Sequence, residues 1–554
     1  MILKNREINT LVRPSSPRPA LSRLYLGCVR VAVLLLLILS VSSHALTTQK
    51  KAALSARKLP SAEKVVENYL KAIGGKKRIA SIREATYDWM IQLKDQTMGT
   101  AKTQIKAPGS VRTEMTFVNG QIVSSANTRS AWVYGPDGQL HTLTGSGADA
   151  AKLKSLLDAS RLIDYKKQNV LARSVLLDDS TSDPACVVEF STRNGARMRY
   201  WFSASNKLLV KIEDGARRIT TRFTDYRVAA PTSRVLEPHQ ISLTTEGSGE
   251  LTFVLQRVNY NVNIADSSFD PPVDVESLDV AALLREVGRN QALVEQRVAE
   301  YSFMQEETDR EINSKGEIKK ETTRVYEVFP VVNRAPIKKL ISENGVALAA
   351  ERAAKESKRV EEEFVKAERD RDKNEQQVER RRAELLKKAA KGEAGKEEDP
   401  EISQFLKICE FVSPRRERFR DRSAVVFDFR PRPGFKPGNR QGSLISKLVG
   451  VAWIDPIDKQ VMRLEARLAE GFKMAGGLLL SLRPGAGFVI EQTRMDEGIW
   501  LPRLAQVNLS VKVLLFGGGD VNKTIEWSDY KHFKGDVTDY KLETPTAITP
   551  VKRP

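Results

Sequence analysis

Apolar residues recur along the chain with two different periods. In residues 61–75 they recur about every four positions after a Ser61 N-cap, which predicts an amphipathic helix. Across residues 83–262 the period falls to two, and tight-turn pairs such as Asn119-Gly120 separate the apolar runs. A helix followed by a long antiparallel meander predicts an α+β fold.

Two features stand out within the meander. The segment LLVKIED alternates most regularly and places Leu208, Val210 and Ile212 on one predicted strand face. A helical pattern at residues 148–163 interrupts the strands. The meander ends at DSSFDPPVDV, residues 266–275, whose two prolines cannot extend a sheet.

The same order of elements begins again after this stop. A helical pattern covers residues 281–300, and YSFMQEETDREI after it echoes YDWMIQLKDQTM from Tyr87. Later, WIDPIDKQVMRLEARL is the counterpart of FSASNKLLVKIED, with Met462 and Leu464 on its apolar face. We therefore predict two tandem curved antiparallel β-sheets, each an incomplete barrel covered by helices.

The copies differ by a charged segment. More than half of residues 351–390 are charged, and polar residues interrupt the apolar seam, which favours a solvated helix or helical hairpin over a stable coiled coil. The predicted organisation is a signal peptide at 1–45, a polar lead at 46–60, a first unit at 61–275, a second unit at 276–545 with a charged helical insertion at 346–400, and a tail at 546–554.

The N-terminus has the pattern of a secretory signal. A basic lead precedes the apolar run VAVLLLLILSV at residues 31–41, and SSHA supplies small residues for cleavage after Ala45. The run is shorter than the roughly 20 residues that span a bilayer. We expect a periplasmic protein, with retention of the segment as a membrane anchor as the alternative.

The formal net charge of +19 favours anionic partners. An anionic membrane surface fits this charge, and we expect no nucleic-acid partner. The histidines show no metal-ligand spacing, and the sequence contains neither G-x-S-x-G nor H-E-x-x-H. Asp455 in WIDP is interpreted as a turn residue rather than an acid or base. We expect no metal, no cofactor and no catalysis.

Three stretches resemble one protein family. IKAPGSVRTEM (105–115) resembles the strand–proline–turn hairpin of the periplasmic outer-membrane lipoprotein-sorting carriers, which are LolA-like. QIVSSANTRSAWVYGPDG (121–138) resembles the strand pair of that family, and SSFDPP (267–272) its closing motif. The chain departs from the family at residues 127–130, where NTRS replaces an Asp-Gly turn, and at Lys106-Ala107-Pro108, where the carriers have arginine before proline.

The resemblance implies a curved sheet wrapped around helices, with an apolar cavity between them. Burying an acyl chain there gains about 0.8 kcal/mol per methylene. Under this interpretation the cavity is lined by Trp89, Trp132, Tyr134, Leu208, Val210, Ile212, Phe253, Met462, Leu464, Val511 and Val513.

The expected function is non-catalytic binding or transport of lipid or lipoprotein acyl chains in the periplasm. An alternative is a regulatory or scaffold protein of the cell envelope that senses lipoproteins and binds a protein partner through residues 351–398. A second alternative also stays open, in which both interiors are filled and Trp132, Tyr134, Phe253 and Leu255 are core residues only.

Overall fold

A computed structural model gives the structure of the protein. It describes residues 59–532 apart from 230–232, 248, 274–278, 299, 314–317, 332–334, 370–404, 475–479, 496–497 and 514–516. Within helices and strands, side chains are described except at 291–297, 440–441, 474, 480 and 510–521. The predicted signal peptide, nearly all of the polar lead, the boundary at 275, the end of the insertion and the tail lie outside the described residues.

The described residues contain six α-helices: α1 (Ala62–Ala72), α2 (Lys76–Ala80), α3 (Gly145–Ala159), α4 (Val280–Val298), α5 (Ala350–Arg369) and α6 (Arg440–Ile445). The Ser61 side chain accepts a hydrogen bond from the backbone N–H of Lys64, so the predicted N-cap of α1 is confirmed. The predicted helices at 148–163 and 281–300 correspond to α3 and α4. In the part of the chain that the structure describes, no helix is long and apolar enough to span a membrane.

The first sheet has thirteen antiparallel strands. They are β1 (Glu84–Leu93), β2 (Gln96–Lys106), β3 (Ser110–Phe117), β4 (Gly120–Ala126), β5 (Ala131–Tyr134), β6 (Leu140–Thr142), β7 (Leu171–Asp178), β8 (Ala185–Ser191), β9 (Arg197–Ser203), β10 (Leu209–Asp214), β11 (Ile219–Val228), β12 (Leu236–Thr245) and β13 (Glu250–Tyr260).

The second sheet also has thirteen strands. They are β14 (Tyr301–Ile312), β15 (Ile318–Phe329), β16 (Ile337–Glu343), β17 (Val346–Ala347), β18 (Cys409–Phe419), β19 (Arg422–Pro431), β20 (Leu448–Asp455), β21 (Gln460–Leu468), β22 (Phe472–Met474), β23 (Leu480–Leu482), β24 (Gly487–Arg494), β25 (Trp500–Val513) and β26 (Gly517–His532).

Both sheets follow the same chain path. The first strand of each, β1 or β14, pairs with the last, β13 or β26, at the middle of the sheet. From there the early strands run out to one edge, the chain crosses to the opposite edge, and the late strands return inward. In the described strands the two edges of each sheet do not pair, so neither sheet closes, and the predicted α+β class with two open antiparallel sheets is confirmed.

A helix makes the crossing in each sheet. Helix α3 lies between β6 and β7, and α5 lies between β17 and β18. The charged insertion predicted at 346–400 therefore begins with a helix that has a counterpart in the first sheet. Its apolar face packs on the second sheet: Val360 is buried, and the Phe364 ring lies 5.6 Å from that of Phe329. The predicted solvated helix is thus solvated on one side only.

Helices fill part of the concave side of the first sheet. Side chains of α1 and α3 pack with β8–β10 around a buried aromatic group. Phe190 meets Tyr200 edge-on with 4.9 Å between ring centroids, and Tyr69 lies 5.3 Å from Phe202. On the second sheet, α4 packs Leu284 and its apolar neighbours against β19–β21. Beneath these helices the interior is packed.

Two predicted strand faces are wrong because β-bulges interrupt the alternation. A register shift between Leu209 and Lys211 sends Val210 to the cluster of Trp201, while Ile212 faces the core under the helices. A second register shift, in the pairing of β20 with β21, separates two further residues that were predicted to share a strand face. Met462 packs beside Trp453, whereas Leu464 packs against two other clusters, one that contains Leu468 and one under α4.

Docking of α5 can be tested by truncating its aromatic anchor. We expect Phe364→Ala to lower the free energy of unfolding by about 2 kcal/mol, because a half-buried ring leaves its contact with the second sheet. The neighbouring Val365 is exposed, so Val365→Ala should change that free energy by less than about 0.5 kcal/mol. Urea unfolding followed by circular dichroism measures both, and equal effects would show that the helix does not dock through this face.

Candidate functional site

The concave face of the first sheet continues beyond the helices as an apolar surface on five strands. Cross-strand pairing aligns one row of residues: Ile241, Phe253, Ile91, Gly99 and Phe117. A second row, one pleat away, aligns Leu255, Trp89, Ala101 and Met115. We call these nine residues the apolar ladder.

The ladder is buried at its centre and open at its margins. Ile91 is fully buried and Trp89 nearly so, whereas Phe117, Phe253 and Ile241 are only partly buried. Among the described residues, the cluster built on the ladder contains strand and loop residues but no helical residue. This end of the concave face therefore has no described helix over it.

A glycine allows the strands of the ladder to approach closely. A Cβ on Gly99 would lie 2.1 Å from the carbonyl oxygen of Thr116, so no other residue fits there without a shift of β2 against β3. Trp89 is held in place beside it. Its indole N–H donates to the Thr103 hydroxyl at 3.2 Å, and its ring stacks on Tyr87 at 5.7 Å.

A buried polar network separates the ladder from the packed core. Glu237 accepts hydrogen bonds from the hydroxyls of Tyr87 at 3.0 Å and Tyr260 at 2.8 Å, and it forms an ion pair of 2.9 Å with Arg161, just beyond α3. Burial raises the pKa of Tyr87 well above its ordinary value, so this phenol is a permanent hydrogen-bond donor. The network therefore lies at the end of the ladder that faces the helix-covered core, which we call its inner end.

The structure scatters the predicted lining residues. Trp89 and Phe253 lie in the ladder, whereas Leu208 and Ile212 pack under the helices of the first sheet. Tyr134 is half-buried in β5 near the Gly138 turn. Val210, Met462 and Leu464 lie in the separate clusters described above. The side chains of Val511 and Val513 lie outside those described.

Sequence reasoning missed most of the ladder. Ile91, Phe117 and Ile241 are ordinary alternating residues on separate strands, and only the register brings them into one row. Turn signals between β2 and β3 could have placed Phe117 opposite Gly99, but the pairing of β1 with β13 has no local signal.

Trp132 belongs to a different structure, the anchor of the closing segment. Phe269 is buried, and its carbonyl oxygen accepts hydrogen bonds from three side chains: Ser125 at 3.0 Å, Trp132 at 3.2 Å and Asn127 at 3.3 Å. Arg129 forms an ion pair with Asp270 next to it. The NTRS turn that departs from the carrier family thus ties the end of the first unit to its sheet.

The same region joins the two sheets through a buried charged junction. The Arg415 guanidinium is fully buried and pairs with Glu417 at 2.7 Å and Asp428 at 3.1 Å. Both carboxylates also reach the first sheet: Glu417 accepts from the Thr142 hydroxyl at 2.6 Å and backbone N–H at 2.7 Å, and Asp428 accepts from Ser130 at 2.6 Å. We call these five residues the charged junction.

A cavity of about 540 Å³ lies between the two sheets beside this junction. We call it the intersheet cavity. Its apolar walls include Leu156 from α3, Phe488 from β24 and Val507 from β25. Two carboxylates, Asp149 and Glu465, line it together with seven cationic side chains: Arg129, Lys152, Arg193, Arg197, Arg310, Arg467 and Lys523. None of the nine predicted lining residues whose side chains are described borders this cavity.

Asp455 acts as a turn residue, as the sequence indicates. Its carboxylate accepts hydrogen bonds from the backbone N–H groups of Ile457 and Asp458, both at 2.8 Å, and pairs with Arg422 at 2.6 Å. No group of His, Cys, Asp and Glu side chains within the described residues is arranged to hold a metal ion.

Comparisons with solved structures find similarity at low levels. A DUF1329 family protein from Desulfovibrio piger is 12% identical, with 38% of this chain and 97% of that chain covered at a TM-score of 0.27. A LolA superfamily protein from Nitrosomonas europaea is 13% identical, with 38% and 98% covered, also at 0.27. The Pseudomonas aeruginosa MucA/MucB complex gives 11% identity, with 84% and 94% covered, at 0.17.

One of these structures is described as a LolA superfamily protein, the family that the sequence resembles. At TM-scores this low, the likeness assigns no function to the chain. No protein-family model matches the sequence, and neither does any curated protein.

The charged junction can be tested by removing its cation. We expect Arg415→Ala to lower the free energy of unfolding by about 3–5 kcal/mol, because Glu417 and Asp428 are left as buried charges without their main partner. Urea unfolding followed by tryptophan fluorescence gives the value. The adjacent Arg416 is exposed, and Arg416→Ala should cost less than about 0.5 kcal/mol. A loss at Arg415 no larger than at Arg416 would contradict a stabilising junction.

Proposed function

We propose that the protein binds the acyl chain of a lipid or lipoprotein on the apolar ladder, without catalysis, in the periplasm. The observation that supports this is the contrast along one concave face. Under the helices the face is filled with aromatic side chains, whereas on the ladder Phe117, Phe253 and Ile241 keep apolar surface exposed. Exposed apolar side chains at the margins of a buried apolar row are typical of a binding site.

The ladder suits a chain-like ligand. Its longer row crosses five adjacent strands and its shorter row four, and neighbouring strands lie about 4.8 Å apart, so the surface is long and narrow. Each methylene buried there contributes about 0.8 kcal/mol, and eight of them give roughly 6 kcal/mol before ordering costs. The Tyr87–Glu237 network closes the inner end, where a polar headgroup or the end of the chain would stop.

Periplasmic location is proposed from the secretory pattern of residues 1–45. The absence of catalysis is proposed because the ladder is apolar and the ion pair at its inner end, Glu237 with Arg161, is complete in itself. Transport, as opposed to simple binding, would require release of the acyl chain to an acceptor.

Titration with a fluorescent fatty acid tests the site. We expect saturable binding by the purified protein, and Phe117→Asn should weaken it about tenfold, because an amide replaces an aromatic contact worth roughly 1.5 kcal/mol or more. Val118 follows directly and is 96% exposed, so Val118→Asn is the matched control and should leave the affinity unchanged. Failure of the protein to take up the probe, or equal effects of the two substitutions, would refute binding at the ladder.

A second candidate function rests on α5. The helix docks through Val360 and Phe364 and leaves a charged outer surface with exposed Lys358, Glu361 and Glu362. A regulatory or scaffold protein would use this surface, together with the rest of residues 351–398, to bind an envelope protein.

Site-specific photo-crosslinking separates this candidate from acyl binding alone. A photo-reactive residue at Glu362 should give one discrete protein adduct in cells that make the protein, because the side chain points away from the sheet. The same residue at exposed Val118 on the first sheet should not give that adduct. Identical patterns at both positions, or no adduct at Glu362, would remove α5 as a partner-binding element.

A further inference from the structure

The intersheet cavity contains more positive charge than its own residues neutralise. Most of its cations already have partners: Arg129 pairs with Asp270, Lys152 lies 3.5 Å from Glu465, and Arg310 lies 2.6 Å from Glu321. These pairs are complete without any guest molecule.

Arg467 differs from these cations because it has no ion-pair partner among the described residues. Among the described residues, no carboxylate lies within ion-pair distance of its guanidinium, and its buried Nε has no hydrogen-bond partner. Glu465, two residues away on the same strand, is engaged by Arg463 at 2.8 Å. Burial lowers the pKa of the Arg467 side chain, although the charges of the Asp149 and Glu465 carboxylates act in the opposite direction.

Asp149 lines the same cavity without forming an ion pair with Arg467. Burial raises the pKa of its carboxyl group above the ordinary value, because the charged form loses solvation there. Among the described residues, the Arg467 guanidinium therefore has no direct anionic contact.

The start of helix α3 adds to the positive potential. Gly145 and Ser146, in the first turn of this fifteen-residue helix, line the cavity, and the Thr144 N-cap makes no side-chain hydrogen bond to that turn. The first N–H groups of a helix favour a negatively charged group nearby.

From this arrangement we infer that the intersheet cavity binds the phosphate group of an anionic ligand, with the Arg467 guanidinium as its principal contact. Guanidinium groups bind phosphate oxygens in a two-pronged geometry, and they stay charged when buried. The volume of about 540 Å³ lies within the range of small-molecule sites. The apolar walls at Leu156, Phe488 and Val507 leave room for an apolar part of the ligand. The site is separate from the apolar ladder, and its occupation does not depend on acyl binding there.

Two sources can supply such a phosphate, a lipid headgroup or a small soluble molecule. Isothermal titration calorimetry on the purified protein distinguishes them with four probes: inorganic phosphate, glycerol 3-phosphate, dihexanoyl phosphatidylglycerol and the zwitterionic dihexanoyl phosphatidylcholine. Tighter binding of the phosphatidylglycerol than of glycerol 3-phosphate identifies a lipid headgroup, and equal binding identifies a soluble phosphate. No saturable binding of any anionic probe below about 10 mM, or equal binding of the zwitterionic probe, overturns the inference.

Substitutions locate the binding in the cavity. Arg467→Met should weaken binding of the best anionic probe about tenfold or more, and Arg467→Lys should weaken it less because the charge remains. Arg218 is exposed and paired with Glu246 away from the cavity, so Arg218→Met is the matched control. Equal losses in Arg467→Met and Arg218→Met would show that only the overall charge matters.

Asp149→Asn provides a test that does not depend on removing a buried cation. It takes away a carboxyl group that repels an anion, so the affinity for the same probe should rise several-fold, and circular dichroism checks that the variant is folded. Unchanged or weaker binding in a folded Asp149→Asn variant would place the anion elsewhere.

Discussion

The buried Arg415 guanidinium sets the arrangement of the whole molecule. Glu417 and Asp428, its two partners on the second sheet, also accept hydrogen bonds from Thr142 and Ser130 on the first. Buried charges are tolerated only when every partner is in place, so the pairing specifies one orientation of the two sheets. The intersheet cavity lies beside this junction, and the two sheets also meet at its walls, where Lys152 lies 3.5 Å from Glu465 and the Asn169 amide donates to the Pro484 carbonyl at 2.9 Å.

The two sheets share a chain path but have diverged in how they are covered. In the first, α3 crosses the concave face and helps to enclose an aromatic core, leaving the apolar ladder at the far end. In the second, α5 crosses at the same point of the chain path but docks through Val360 and Phe364 on β15 and β16, next to the edge strand β17. The concave faces of the two copies are therefore not equivalent, and the acyl-binding proposal concerns the first sheet alone.

Local patterns were sufficient to predict most helices and strands, because helix caps, tight turns and the spacing of apolar residues are each determined within a few residues. Ser61, the β2–β3 hairpin and the repeat after residue 275 all followed from such signals. The predicted strand faces were wrong at Val210 and Met462. At each position a bulge inserts one residue and reverses the alternation, and no sequence signal indicates the bulge. The ladder and Arg467 could not be predicted, since both depend on residues that are brought together by long-range pairing or by the contact between sheets. The NTRS turn looked like a departure from a family pattern, and only the structure shows its part in anchoring Phe269.

Acyl binding requires that this fold keeps an apolar surface available to a lipid. Native mass spectrometry of the protein, purified from cell envelopes without a delipidation step, examines that requirement most directly. We expect a population heavier than the polypeptide by the mass of one lipid, which disappears after extraction with organic solvent. A single species at the mass of the polypeptide, before and after extraction, would contradict the account.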